Sequence, residues 1–296
     1  MKKFMLALLL AFGFAPAASA ARMRLTVPEE APIGQPFFLE MRANESIGDV
    51  TVKWRGQQFI LTPRRNAVRT ILGVPNDAKL AGSTLSVQVE FSCGAKGRVR
   101  AERKIKVVGY RYPKQVLTVA PKMVTPPQSE LSRIAKERQL VRKALATRSK
   151  GGVLPRRYAR PVPGIPTALF GGFRVYNGVP RGGHGGRDLR AAVGTPVAAI
   201  ADGTVVLEGS HYFSGGAVYV DHGGGVLSVY FHLSKNLVKA GQKVKAGDAL
   251  ALSGATGRVT GPHLHLGLFS GGVALDPLPL LDGSKLPKGV EVLYEF

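Results

Sequence analysis

The residues of this chain that could do chemistry lie toward its C-terminal end, where all six histidines fall between His184 and His265. His184-Gly185-Gly186-Arg187-Asp188 sets an imidazole and a carboxylate four residues apart on a glycine-rich segment, which can bend both side chains toward one point. His263-Leu264-His265 sits in a run with strand character, where alternate side chains share a face. Both imidazoles then project together while Leu264 points to the core. His232 closes the run 226–232, and alternation groups it with Ser228 and Tyr230, leaving Leu227, Val229 and Phe231 on the other side. Imidazole nitrogen and carboxylate oxygen suit Zn²⁺, and a catalytic zinc keeps three protein ligands and one open position. Five candidates exceed three ligands, so two are left to move protons, as hydrolysis requires. An H-x-H pair or an H-x-x-x-D alone is a weak signal. Their joint occurrence with a third strand-end histidine, in a region without cysteine, points to a metal site.

The elements that must position these groups are mostly strands. From about Pro166 onward the chain is β-rich, with strands expected at 196–208, 216–221, 225–232, 248–253 and 263–269. Gly223-Gly224-Gly225 closes a hairpin between the second and third, and 238–247 reads as a turn-rich connection. Upstream, short runs rich in Val, Ile, Phe and Thr at 24–27, 37–43, 50–54, 58–61, 68–72, 84–91 and 98–108 predict an immunoglobulin-like β-sandwich without an acid or histidine cluster, a scaffold or targeting module. Between these units, 110–127 is Pro-rich and extended. A helix is predicted over 128–146, with Leu131, Ile134, Val141 and Leu145 on one stripe. Ten basic residues between Leu131 and Arg160 face a single acid, Glu137, which reads as a solvated face or a wall-contacting strap. The expected organisation is a signal peptide at 1–20, a sandwich at 21–108, a Pro-rich and basic helical linker at 109–165, and a β-rich domain carrying the candidate metal site at 166–296.

The ends and the composition bound the compartment. Lys2 and Lys3, the apolar run 4–14 and the small-residue end Ala18-Ser19-Ala20 form the pattern of a removable secretory signal, with cleavage before Ala21. The apolar run is shorter than the roughly 20 residues a bilayer span needs, and no later run is long enough, so no transmembrane segment is expected after cleavage. The expected localisation is the periplasm or cell envelope, or secretion; without a lipobox cysteine near Ala20, lipid anchoring is not expected. The lone Cys93 excludes an internal disulfide framework and reads as a small hydrophobe in a strand. The net charge of +22 falls to +20 when the two signal lysines leave. For an exported chain that charge points away from nucleic acid and toward anionic wall polymers or lipid head groups, whose encounter a basic surface speeds without specifying chemistry.

Residues 170–281 resemble the lysostaphin-type (LytM-domain) zinc endopeptidases of peptidoglycan. The resemblance is carried by H-G-G-R-D at 184–188, G-T-P-V at 194–197, D-G-T-V at 202–205, V-D-H-G-G-G at 220–225, Y-F-H-L-S at 230–234 and G-A-T-G-R-V-T-G-P-H-L-H at 254–265. It implies a mainly β chain whose C-terminal antiparallel domain has the LytM-type (duplicated hybrid motif) fold. It also implies Zn²⁺ held by His184, Asp188 and His265, with His263 as general base, His232 orienting water or stabilising the oxyanion, and peptidoglycan as substrate. The departure from the family pattern is at Leu266 and Gly267, where many relatives carry an aromatic and a glutamate; no ligand is lost, but a contact that supports one could be. Tyr176 and Asn177 are candidates for positioning metal or substrate, His222 is expected to bond locally, and His211 carries no case. The alternatives are a catalytically inactive domain that binds and activates a wall amidase, and a pure wall-binding module. The module order further suggests that the sandwich and basic helix cover the cleft and restrain hydrolysis.

Overall fold

The computed structural model describes residues 20–94, 97–283 and 286–296, so the signal segment expected over 1–20 lies outside them except for Ala20. Strands dominate, as expected. At the N-terminal end each predicted run becomes a strand, and their alternating apolar residues meet in one core between two sheets. One sheet orders Gly289–Glu295, Arg22–Pro28, Pro36–Ala43 and Ala67–Gly73; the other orders Glu30–Pro32, Arg98–Val108, Thr84–Ser92, Val50–Trp54 and Gln57–Leu61. Phe37 and Trp54 meet edge-to-face at 5.6 Å inside it, with the indole N–H donating to the Gly73 carbonyl at 2.9 Å. The final strand corrects the expected organisation. Gly289–Glu295 pairs antiparallel with Arg22–Pro28 along its whole length, so it belongs to the sandwich rather than to the unit expected at 166–296.

The linker divides into a strap and a helix. Lys114–Leu117, inside the Pro-rich stretch, forms a strand parallel to Phe173–Tyr176, which in turn pairs with Val179–Gly183. The basic helix spans Gln128–Leu145 and buries Ile134 and Ala144, with Val141 and Leu145 packed on Ala217, Tyr219 and Val229. Leu131, expected on the buried stripe, is 42% exposed. Glu137, the one acid in the basic run, accepts from Arg133 Nε at 2.7 Å and from the Tyr212 backbone N–H at 2.8 Å, which ties the helix to the domain. Among the described residues no helix is long and apolar enough to cross a membrane.

The C-terminal domain is built on a large antiparallel sheet. Its path runs Pro166–Ala168, Arg187–Arg190, His263–Ser270, Val226–Asn236, Gly215–Asp221, Gly203–His211 and Lys243–Val244. The strand expected over 196–208 is two strands, Pro196–Ala198 and Gly203–His211, which pair with different neighbours. The hairpin at Gly223-Gly224-Gly225 is present, with all three glycines at positive φ between 61° and 83°. One face of the sheet covers the main core, where Leu264, Leu266, Leu268 and Tyr230 are fully buried. The opposite face of the three central strands carries the histidines.

Candidate metal centre

Strand register brings the first two ligand candidates together. Asp188 lies directly opposite His265 on neighbouring antiparallel strands, and Arg190 lies opposite His263. Alternation turns Leu189 into the core and leaves Asp188 on the histidine face. His184 precedes this strand and is clamped by its backbone: its N–H donates to Gly172 O at 2.9 Å and its carbonyl accepts from Gly171 N at 2.8 Å. Of the two glycines between, Gly186 is the one that close approach requires, since a Cβ at Gly185 would meet nothing within 4 Å. A Cβ at Gly186 would stand 2.3 Å from the Leu266 carbonyl and 2.7 Å from His265 Nε2.

The result is a triangle of donor atoms. His184 Nε2 is 3.0 Å from Asp188 Oδ1, His265 Nδ1 is 2.9 Å from the same oxygen, and the two nitrogens are 2.9 Å apart. All three side chains are buried, and their donor atoms lie within 4.8 Å of one another, close enough to share one cation. Two imidazoles and one carboxylate suit a divalent ion such as Zn²⁺, Cu²⁺ or Ni²⁺ better than Ca²⁺ or Mg²⁺, which prefer oxygen. His184 Nδ1 sits 2.8 Å from the Leu169 carbonyl, so that nitrogen carries the proton and Nε2 is the free donor atom.

Two further histidines stand at the edge of the triangle. His263 Nε2 is 3.6 Å from Asp188 Oδ1, and its Nδ1 is held at 2.8 Å by the Gly261 carbonyl. His232 Nδ1 is held at 2.8 Å by the Thr256 carbonyl, and its ring lies 4.8 Å from that of His263. A ring nitrogen bonded to a carbonyl must donate, so in the neutral form of either ring the lone pair is on Nε2. His232 arrives by an unexpected route. Tyr230 and Ser228 are buried on the core side, and alternation alone would send His232 there with them. Instead His232 adopts φ of 64°, and the pairing with Gly215–Asp221 shifts register around it. This bulge re-aims the imidazole onto the histidine face.

Charge and burial set the protonation states. Burial works against the Asp188 carboxylate, but bonds from His184 and His265 outweigh it and hold its pKa below the usual range. Burial pushes His265 down to about 4; burial, then the neighbouring His265 and His263, pushes His232 down to about 3. Both rings are therefore neutral near pH 7, and a neutral ring is the form that binds a metal or accepts a proton.

Several contributors were not legible in the sequence. Arg174 Nη2 bonds Asp188 Oδ2 at 2.6 Å, the oxygen turned away from the histidines, and is itself held by Gln115 Oε1 at 3.1 Å and the Tyr176 hydroxyl at 3.3 Å. Gln115 comes from the strap. Arg187 forms a buried two-bond pair with Asp276, at 2.8 and 2.5 Å, that pins the H-G-G-R-D segment from behind. Phe231 stacks on His265 with ring centres 5.2 Å apart and planes 4° apart. The Arg258 guanidinium lies over the rings of Tyr176 and Phe213 at 4.5 and 4.9 Å. A residue type alone does not signal any of these; each depends on what the fold puts next to it.

Two cavities meet at this cluster. One, of about 210 Å³, is bounded by the strap residues Gln115, Leu117 and Val119 and by Asp188 and His263; the other, of about 220 Å³, is bounded by His184, His232 and His265. Arg174, Tyr176 and Arg258 line both. The strap, rather than the sandwich or the basic helix, therefore forms the cleft wall. Tyr176 lines the cleft as expected of a positioning residue. Asn177 does not: its amide is spent on the strap, accepting from Val119 N at 2.9 Å and donating to Val119 O at 2.8 Å. His222 bonds Asp202 O and Ser228 Oγ in the core, and His211 lies outside the cluster. At Gly267, the departure from the family pattern noted above, a Cβ would press on Val229 Cγ2 at 2.6 Å, and the outer oxygen of Asp188 is held by Arg174.

Residues 182–277 match the model of peptidase family M23. The chain is 50% identical over 86 residues to peptidoglycan DD-endopeptidase ShyA of Vibrio cholerae, a stretch that is 29% of this chain and 20% of that protein. It is 43% identical over 110 residues to lysostaphin of Staphylococcus simulans, covering 35% of this chain and 22% of that one. The chain thus spans about a fifth of the length of the curated relatives it matches. The crystal structure of a Pseudomonas aeruginosa protein assigned to peptidase M23 superposes over 80% of this chain and 89% of that one, with 27% identity and a TM-score of 0.58.

Proposed function

Residues 182–277 make this chain a member of peptidase family M23, and from that premise we propose that it is an exported zinc endopeptidase that hydrolyses peptide bonds of peptidoglycan. The observation that carries the reading is the buried triangle of His184 Nε2, Asp188 Oδ1 and His265 Nδ1, with two more imidazoles beside it. Bound there, Zn²⁺ supplies a Lewis acid that polarises the scissile carbonyl and acidifies water. His263 takes the proton of the attacking water on Nε2 as the oxygen–carbon bond forms, then returns it to the leaving amine as the carbon–nitrogen bond breaks. The Gly261 carbonyl holds its ring in that orientation throughout. His232, neutral and pinned by Thr256, orients the water or steadies the charge developing on the carbonyl oxygen. Asp188 stays ionised, and Arg174 fixes its outer oxygen.

The names of the relatives that match this domain support a peptidoglycan substrate, and the N-terminal pattern of Lys2, Lys3 and Ala18-Ser19-Ala20 supports export. The complete donor set counts against an inactive domain that only activates an amidase. The test is hydrolysis of purified sacculi, with and without a zinc chelator, followed by mass spectrometry of the released muropeptides. New amine and carboxyl ends that vanish on chelation and return with Zn²⁺ are expected. Undiminished release by Asp188→Ala or His263→Ala would overturn the assignment of roles.

A further inference from the structure

A cavity of about 380 Å³ lies between the basic helix Gln128–Leu145 and the histidine face of the sheet, and none of the steps above uses it. Its helix wall is Ile134, Val141 and Leu145, and its floor is Tyr219, Phe231 and Phe269. The groove is continuous with the metal cleft, because Phe213, Ser214, Phe231 and Phe269 line both it and the cavity that holds His184, His232 and His265. Phe231 is the shared partition: it stacks on His265 and lies 5.5 Å from the Tyr219 ring.

The polar groups around the groove are unevenly satisfied. Arg138 and Arg142 line it one helical turn apart and are exposed, and their guanidinium groups hold no hydrogen bond or ion pair among the described residues. Glu137, the residue before Arg138, is already committed to Arg133 and to the Tyr212 backbone. Within the lining, Nδ1 of His211 and the hydroxyl of Tyr219 are buried without partners. An apolar trough with two uncommitted guanidinium groups beside it complements a small apolar body that ends in a carboxylate. Its volume is at the low end of small-ligand sites, about 300–1,000 Å³, and matches a few short residues better than a long acyl chain.

We infer that this groove is a second substrate subsite, which takes a carboxylate-terminated peptide arm of a branched substrate whose scissile bond lies at the metal cluster. The inference rests on the endopeptidase reading above and deepens it: a molecule that fills both cavities must fork or bend at Phe231, as one strand of a cross-linked peptide does and a linear peptide need not. Selectivity for branched peptides then resides in a helix outside the segment that matches the family, since Gln128–Leu145 precedes residue 182.

The test uses the full chain loaded with Zn²⁺ and three synthetic peptides sharing one scissile bond: linear, branched with a free carboxylate on the second arm, and branched with that arm amidated. The free-carboxylate arm is expected to lower KM by about 3- to 10-fold relative to the linear peptide, the effect of a partly exposed charge-assisted contact, with kcat little changed. The amidated arm should lose most of that gain. An Arg138→Gln, Arg142→Gln double variant should erase the preference while leaving the linear peptide unaffected. Val141→Trp, which fills the groove from the helix side, should raise KM for the branched peptide alone. Equal KM for all three peptides with the parent protein overturns the subsite, as does a preference that survives the double variant. If Val141→Trp harms the linear peptide equally, the groove acts only through packing of Phe231 and the subsite is again refuted. Failure of the endopeptidase reading looks different: a folded, zinc-loaded chain that cleaves none of the three.

Discussion

Arg174 gives the sharpest test of how this site is held together. Asp188 has two oxygens with separate duties. Oδ1 faces His184 and His265 at 3.0 and 2.9 Å, and Oδ2 faces Arg174 alone at 2.6 Å, with both side chains of the Arg174–Asp188 pair less than 15% exposed. Removing the guanidinium leaves a buried carboxylate oxygen without a partner and frees the group to rotate, so Oδ1 no longer points reliably into the triangle. Loss of an outer partner of this kind weakens metal affinity about 10- to 100-fold, or about 1.4–2.8 kcal/mol. A competing effect has the opposite sign: a positive charge beside the cluster repels a dication, and deleting it should favour binding. Two substitutions separate them. Arg174→Gln removes the charge, whereas Arg174→Lys keeps the charge and loses the planar fork. If orientation dominates, both weaken Zn²⁺ binding, which competition against a chromophoric chelator measures directly, without recourse to activity. Arg174→Gln that bound zinc more tightly than the parent, with Arg174→Lys unchanged, would refute the orienting role.

Further outcomes follow from the same geometry. Gly186→Ala places a methyl group 2.3 Å from the Leu266 carbonyl and 2.7 Å from His265 Nε2, and should abolish zinc binding in the same competition assay. His263→Ala should retain zinc while kcat falls by at least about 100-fold, whereas His184→Ala should lose the metal itself. Asn177→Ala removes both bonds to Val119 and should expose residues 109–127 to limited proteolysis at least several-fold faster than in the parent. For the metal-stripped protein, acid should be destabilising in a defined window. Folding lowers His265 to about 4 and His232 to about 3 from an ordinary 6.5, so the unfolded chain binds more protons below pH 6.5. Their stability contribution is complete above pH 6.5 and declines by about 1.4 kcal/mol per pH unit for each ring as pH falls toward 4. Thermal melts between pH 7.5 and 4.5 measure it, and His232→Asn should have a shallower slope.

The candidate cluster was legible because its signals are local, although the residues alone offered five candidates and only the family resemblance chose three of them. The two-residue period of a strand puts His263 and His265 on one face whatever lies around them, and Gly186 leaves room for the close packing in which His184 lies 3.0 Å from Asp188. The strands of the sandwich were legible for the same reason, since each buries alternate apolar residues. The helix was legible in extent but less so in orientation. The stripe that meets Tyr219 and Val229 is Val141, Ala144 and Leu145, with Ile134 also buried, whereas Leu131 near the start of the helix is 42% exposed.

What stayed hidden depends on partners remote in sequence or on a single backbone angle. Residues 289–295 show no more than a short alternating run, and only the open edge of Arg22–Pro28, more than 260 positions away, makes them a strand of the sandwich. Arg174 reads as one of 41 cations until the fold turns it onto Asp188. His232 is the most instructive case. Strand alternation assigns it to the side of Tyr230, inside the core and away from the other three imidazoles of the cluster. A bulge and a left-handed φ of 64° reverse that assignment, at a cost of order 1–3 kcal/mol for a residue with a Cβ. Glycine would relieve the strain but remove the side chain. The histidine is held there against its backbone preference, with Nδ1 fixed by Thr256 and its ring beside His263, so the strained turn sets an imidazole at the edge of the donor triangle.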